Sequence, residues 1–188
     1  MLFELNAWVG QAGAIKRIII MPIGKVDAEI LQSVSSAVAN KFHTKTEVGR
    51  KRSVPPDSYN ALREQYNATA VLKEMIVYKQ RKIEILLGIT DADLYASKLN
   101  YVFGEADPYA GVAVISLWRL RQEFYGLPRD KGLLKERAVK EAIHELGHVY
   151  GLDHCSHPEC IMYFSNSIGD TDKKGPGFCD ICKNTLGI

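Results

Sequence analysis

The sequence predicts a single α/β domain over residues 1–188, divided into an upper lobe of about residues 1–151 and a small lower lobe of about 152–188. Three observations predict it. A buried-strand pattern is followed at once by a helical one, two later apolar runs are joined by a turn, and the last segment is poor in large apolar residues but holds all four cysteines. At 188 residues and 46% apolar composition, the chain has enough material for one sizeable core and too little for two large domains.

The elements follow in order. IKRIIIMPIG (Ile15 to Gly24) reads as a buried strand bounded by Gly13 and by the breakers Pro22 and Gly24. VDAEILQSVSSAVANKF (Val26 to Phe42) then sets Ile30, Val34, Ala37 and Val38 at helical spacing, with Asp27 placed to cap the helix. Paired prolines and hydroxyl side chains make Ser53 to Asn60 a loop. Helical spacing resumes from Ala68 to Lys79, and KIEILLGIT (Lys82 to Thr90) is a second strand. Tyr101 to Leu120 reads as two antiparallel strands joined by a turn at Asp107–Gly111. Gly132 to Tyr150 forms a long helix, with Leu133, Ala138, Val139, Ala142 and Leu146 available for burial.

Charge and termini exclude some functions. Lys plus Arg number 24 against 22 for Asp plus Glu, and the two signs are interspersed, so there is no footprint for nucleic acid or an anionic membrane. The opening MLFELNAWVGQAGAIKR lacks a basic stretch followed by an apolar core and does not read as a signal peptide. The longest apolar run, around Ile18 to Ile20, falls far short of the ~20 residues that span a bilayer. The expectation is a soluble, cytoplasmic protein, with a monomer favoured.

Of the five histidines, all but His43 lie between positions 144 and 157, beside the cysteines. That clustering points to metal. His144, Glu145 and His148 form H-E-x-x-H, and two histidines at i and i+4 lie about 40° apart around a helix, so both reach one ion. The motif continues as HELGHVYGLDH. Were the helix to continue, His154 would sit ~15 Å along the axis from His144, so the chain must turn back. Gly151 permits the turn, because a glycine takes the left-handed conformation past a helix end without a Cβ penalty. Three histidines leave one zinc position open, as catalytic sites do, and Glu145 is placed to take a proton from the water there.

Cys155-x4-Cys160 and Cys179-x2-Cys182 approach the ligand spacing of structural zinc sites. Neighbouring side chains of an extended segment point to opposite sides, so His154 and Cys155 can serve two different ions. A closed Cys₄ site would then stand in for the core that the lower lobe lacks. Two disulfides, or a reactive dithiol at Cys179 and Cys182, are the alternatives. Met162 is by itself a packing residue.

Together, HELGHVYGLDHC, the C-I-M of Cys160 to Met162 and the final CDIC resemble the archaemetzincins, a family of metzincin-type zinc metallopeptidases; the motif region is Val139 to Cys182. The resemblance implies that His144, His148 and His154 bind a catalytic zinc, that Glu145 is the general base, that Met162 forms the methionine turn beneath the metal, and that Cys155, Cys160, Cys179 and Cys182 hold a second, structural zinc. It implies a twisted mixed sheet with an antiparallel edge strand over the cleft, a backing helix and an active-site helix. Peptide substrates would pair with that edge, for which Gly111 to Ser116 is the candidate. Some metzincins carry a tyrosine two residues beyond the methionine, a place held here by Phe164, which leaves Tyr163 a packing residue. Asp153 is either an acceptor that orients a histidine or a turn residue, and His157 and Glu159 read as solvated. Peptide hydrolysis is the leading function. A catalytically weak or inactive peptide-binding module and a redox-sensitive Cys₄ switch are the alternatives.

Overall fold

The structure, a computed structural model, describes residues 17–80 and 84–188. The reading of the opening residues as no signal peptide therefore lies outside the described residues up to position 16, as do the first two positions of the strands expected from Ile15 and Lys82. In chain order the elements are β1 (Arg17–Ile23), α1 (Ala28–Phe42), β2 (Lys45–Val48), β3 (Tyr59–Asn60), β4 (Gln65–Asn67), α2 (Ala68–Val77), β5 (Glu84–Thr90), β6 (Leu94–Tyr95), β7 (Gly104–Asp107), β8 (Val112–Ser116), α3 (Lys131–Val149), α4 (Ile168–Lys173) and α5 (Asp180–Leu186). Asp27 caps α1 as the sequence indicates, its carboxylate accepting from the Glu29 amide, and Asp130 does the same for α3 through the Leu133 amide.

The main sheet has the order β2-β1-β5-β8-β7. β2, β1, β5 and β8 run parallel, and β7 pairs antiparallel with β8, Gly104 opposite Ile115 and Asp107 opposite Val112. Side chains alternate across it. Ile18, Ile20, Ile85, Leu87, Ile89, Ala113 and Ile115 face the helix layer of α1 and α3, while Met21, Ile23, Leu86, Val112 and Val114 face α2. β5 is buried along its whole length, as a central parallel strand covered on both faces must be.

Three expectations are corrected. The candidate for the substrate-facing edge, Gly111 to Ser116, contains β8, which is paired on both sides; the antiparallel edge strand is β7. Pro22 does not end β1, because proline loses only its donor: the strand continues to Ile23, and the Pro22 carbonyl accepts from the Arg52 amide at 2.8 Å. The lower lobe is also not without a core. Leu152, Cys160, Ile161, Met162, Phe178, Cys182 and Leu186 join the same buried cluster as the upper-lobe strands and helices. On α3 the buried residues include Leu134 and Ile143, while Leu133 and Val139 are half-buried. Among the described residues no helix is long and apolar enough to cross a membrane.

Candidate metal centre and cleft

The C-terminal half of α3 carries His144, Glu145 and His148, which line one cleft together with the β7 residues Gly104 and Glu105. The helix ends in a Schellman turn: the Gly151 amide bonds the His148 carbonyl and the Leu152 amide bonds the Gly147 carbonyl, both at 2.9 Å, with Gly151 at φ 90°. That turn returns the chain and brings His154 over the helix, its ring 5.3 Å from that of His144 and 4.7 Å from that of His148. The nitrogens of the three histidines lie within 4.8 Å of one another.

The hydrogen bonds fix the tautomers. His144 Nδ1 faces the Ile161 carbonyl at 2.8 Å and His148 Nδ1 faces the Leu152 carbonyl at 2.7 Å, so each Nδ1 must carry the proton and donate it. The two Nε2 atoms are then bare lone pairs, and they stand 3.2 Å apart. Two acceptors repel at that distance unless a cation lies between them. Ligands at roughly 2.0–2.1 Å from a tetrahedral zinc are separated by about 3.4 Å, so the spacing fits that ion. Burial depresses the basicity of all three rings, most strongly that of His144, and so favours the neutral form that a metal requires.

Glu145 is buried, lines the same cleft, and its carboxyl is held well above the usual range, first by burial and then by the neighbouring Glu141. The cleft, of about 390 Å³, is bounded by Leu99, Tyr101, the β7 residues Gly104 and Glu105, Phe164 and Asn166. β7 touches Glu145 directly: a Cβ on Gly104 would lie 2.6 Å from its Cγ and Oε1. Met162 is fully buried against α3, where a Cβ on Gly147 would collide with its sulfur. The glycine in H-E-L-G-H is therefore the space that Met162 occupies. Phe164 packs edge-on to His154 at 4.7 Å and has no donor to offer a reacting carbonyl.

The four cysteines converge separately, Cys155 Sγ 3.7 Å from Cys179 Sγ and Cys160 Sγ 3.7 Å from Cys182 Sγ. A disulfide needs about 2.05 Å, so these are free thiols. Around a tetrahedral zinc with bonds of about 2.3 Å, sulfurs lie about 3.8 Å apart, which matches. The Cys179 amide donates to Cys160 Sγ and the His157 amide to Cys155 Sγ, both at 3.4 Å. A donated backbone N–H from Cys182 brings the Cys179 thiol down to about 7, whereas burial pushes those of Cys155 and Cys182 up. Two separate groups that could each hold an ion thus draw on the consecutive residues His154 and Cys155. Asp153 and His157 are exposed, and neither falls within a metal-competent group among the described residues.

The sequence reading missed a second set of site residues. Glu141 and Lys174 form an ion pair at 2.9 Å with side chains 3% and 0% exposed, and Glu141 lines the cleft. Lys174 sits in a run, Asp172-Lys173-Lys174-Gly175, that looks solvated, and only the partner 33 positions earlier reveals it. The i, i+3 and i, i+4 spacing of Glu141 to His144 and Glu145 was a signal available in the sequence.

Residues 26–187 match the model of peptidase family M54. The chain is 47% identical over 176 residues to the archaemetzincin of Pyrococcus furiosus, covering 90% of this chain and 91% of that protein. The crystal structure of the Archaeoglobus fulgidus archaemetzincin superposes with a TM-score of 0.78 at 38% identity, over 90% of this chain and 99% of that one. A zinc-dependent peptidase from Methanocorpusculum labreanum gives 0.83 at 30% identity, over 90% and 99%.

Proposed function

The chain belongs to peptidase family M54, the archaemetzincins, and is a zinc metallopeptidase; we propose that it cleaves peptide bonds at the three-histidine centre, with Glu145 as general base and a second, structural zinc on Cys155, Cys160, Cys179 and Cys182. The observation that carries the proposal is the pair of bare Nε2 atoms 3.2 Å apart, their Nδ1 protons already committed to carbonyls. His144, His148 and His154, which line the cleft, would hold the ion. Zinc held there would supply Lewis-acid chemistry, polarising a peptide carbonyl and acidifying a water molecule. Glu145, buried and lining the same cleft, is placed to take a proton from the attacking water and return it to the leaving amine. The free edge of β7 offers main-chain groups to an extended peptide, which gives affinity with little sequence demand. Met162 supports α3 in the space Gly147 leaves.

The test is metal content on purified protein together with amine release from a mixed peptide library, for wild type and Glu145→Gln. The expected result is two zincs per chain in both, with cleavage reduced about 10²- to 10⁴-fold in the variant. Two zincs with no cleavage by wild type would establish the peptide-binding module instead, and a Glu145→Gln protein as active as wild type would remove Glu145 from the chemistry.

A further inference from the structure

Nothing in the proposed reaction uses Lys174, one of the most deeply buried charges among the described residues. Among those residues it is the largest of the fully buried side chains, and it follows α4 in the lower lobe. Its ammonium bonds Glu141 Oε1 at 2.9 Å and stands 3.5 Å from His144 Nδ1, behind the ring, on the side away from the bare Nε2. The same Glu141 oxygen accepts from Thr171 Oγ1 at 3.2 Å. Next to Glu141 on α3, Lys140 bonds the Thr171 and Asp172 carbonyls, and one turn before Glu141, Arg137 grips Asp172 through two bonds of 2.7 and 2.6 Å while reaching the Leu120 carbonyl. A buried polar row thus runs along α3 from Arg137 to Glu141 and fastens the lower lobe to the active-site helix, with Lys174 at the end nearest the histidines.

The placement matters because the two lobes supply different parts of the centre. His144, Glu145 and His148 come from α3, whereas His154, Met162 and the Ile161 carbonyl that orients His144 come from the lower lobe. An ordinary interlobe contact would be apolar. An ion pair withdrawn from water is costly and contributes little net stability over apolar packing, so its retention here points to fixing one arrangement rather than to strengthening the fold. We infer that Lys174, through Glu141, is a positioning residue for the metal centre: it fixes the lower lobe against α3 at the level of His144 and so sets the orientation of that imidazole toward the ion. The inference rests on the three-histidine zinc site proposed above.

The experiment compares Lys174→Met, the charge-free pair Glu141→Gln/Lys174→Met, and Arg137→Met at the far end of the same row. Each full-length protein is loaded with zinc for chelator competition and steady-state kinetics, and with cobalt for its d–d absorption. Lys174→Met and the double variant are expected to lose about 10- to 100-fold in affinity for the histidine-bound metal or in kcat, with KM within about threefold, and to shift the cobalt bands. Arg137→Met is expected to lower the melting temperature without these changes. The double variant removes both charges, so it answers even if Lys174→Met, with Glu141 left buried and unpaired, does not fold. Wild-type affinity and wild-type cobalt bands in the double variant would overturn the inference, as would an equal shift in Arg137→Met. If wild type cleaves no peptide, the peptidase proposal fails by itself, and the cobalt spectra and metal affinities still decide the role of Lys174.

Discussion

Replacing Gly104 with alanine should disable the site while leaving the fold intact. The added Cβ would lie 2.6 Å from Glu145 Cγ and Oε1 and 2.7 Å from Cδ, whereas ordinary contact begins at 3.4 Å. Glu145 must therefore retreat by about 1 Å, and a displacement of that size in a reacting group costs on the order of 10² in rate. Stability moves the other way or little. Gly104 does not have a positive φ, so alanine suits its strand and gains roughly 0.5–1 kcal/mol in chain entropy, against an overpacking cost of about 1–3 kcal/mol that falls as Glu145 swings aside. At about 2–4 °C per kcal/mol for a chain of this size, the melting temperature should then change by only a few degrees. The assay is kcat/KM on a cleaved library peptide together with a melting curve and zinc content, repeated in a Glu145→Gln background. There Gly104→Ala should cause no further loss, since the two changes act on one group. A Gly104→Ala enzyme within about threefold of wild type, or an equal loss in the Glu145→Gln background, would refute the reasoning.

Other outcomes follow from the same contacts. In metal-free protein the Glu145 carboxyl is raised by burial, so the folded chain holds a proton that the unfolded chain releases above about pH 4.3; that contribution to stability is lost as pH rises above that value, and Glu145→Gln should melt increasingly above wild type as it does. His144, depressed by burial, acts oppositely: metal-free protein should lose stability as pH falls below about 6.5, and a melting series in which it does not would contradict the buried neutral ring. Gly147→Ala drives a Cβ into Met162 Sδ and should lower stability by about 1–2 kcal/mol after the helix-propensity gain, whereas Gly132→Ala on the exposed first turn of the same helix should be neutral or slightly stabilising in the same melts. Cys182→Ala should reduce bound zinc by one per chain, with amide exchange rising across α5 while α3 stays protected.

What could be read from the sequence depended on how far apart the cooperating residues lie. The centre is encoded almost locally: helical spacing pairs His144 with His148, Gly151 forces the turn, and His154 arrives within six residues of His148. Local rules decide all of that. β2 escaped because Lys45–Val48 is an exposed parallel edge, whose side chains carry no burial pattern. Lys174 escaped because a lysine beside another lysine reads as solvated, and its burial depends on a carboxylate in another element.

The misplaced edge strand is a different kind of error, because its correction was present in the composition. Val112–Ser116 reads VAVIS, apolar on both faces, and every residue is buried, which is the mark of a strand with neighbours on each side. Gly104–Asp107 reads GEAD and is half-buried throughout, as suits a short edge blunted by charge against pairing with the wrong partner. The same composition explains how an edge can serve a cleft. Gly104 gives the room that Glu145 needs, and Glu105 is tied back to α2 by the Thr69 hydroxyl at 2.7 Å. A bulkier, more apolar β7 would pair more strongly with any passing strand, and at its first position it would close on Glu145. The features that make β7 a weak strand by propensity are those that keep the space beside Glu145 open.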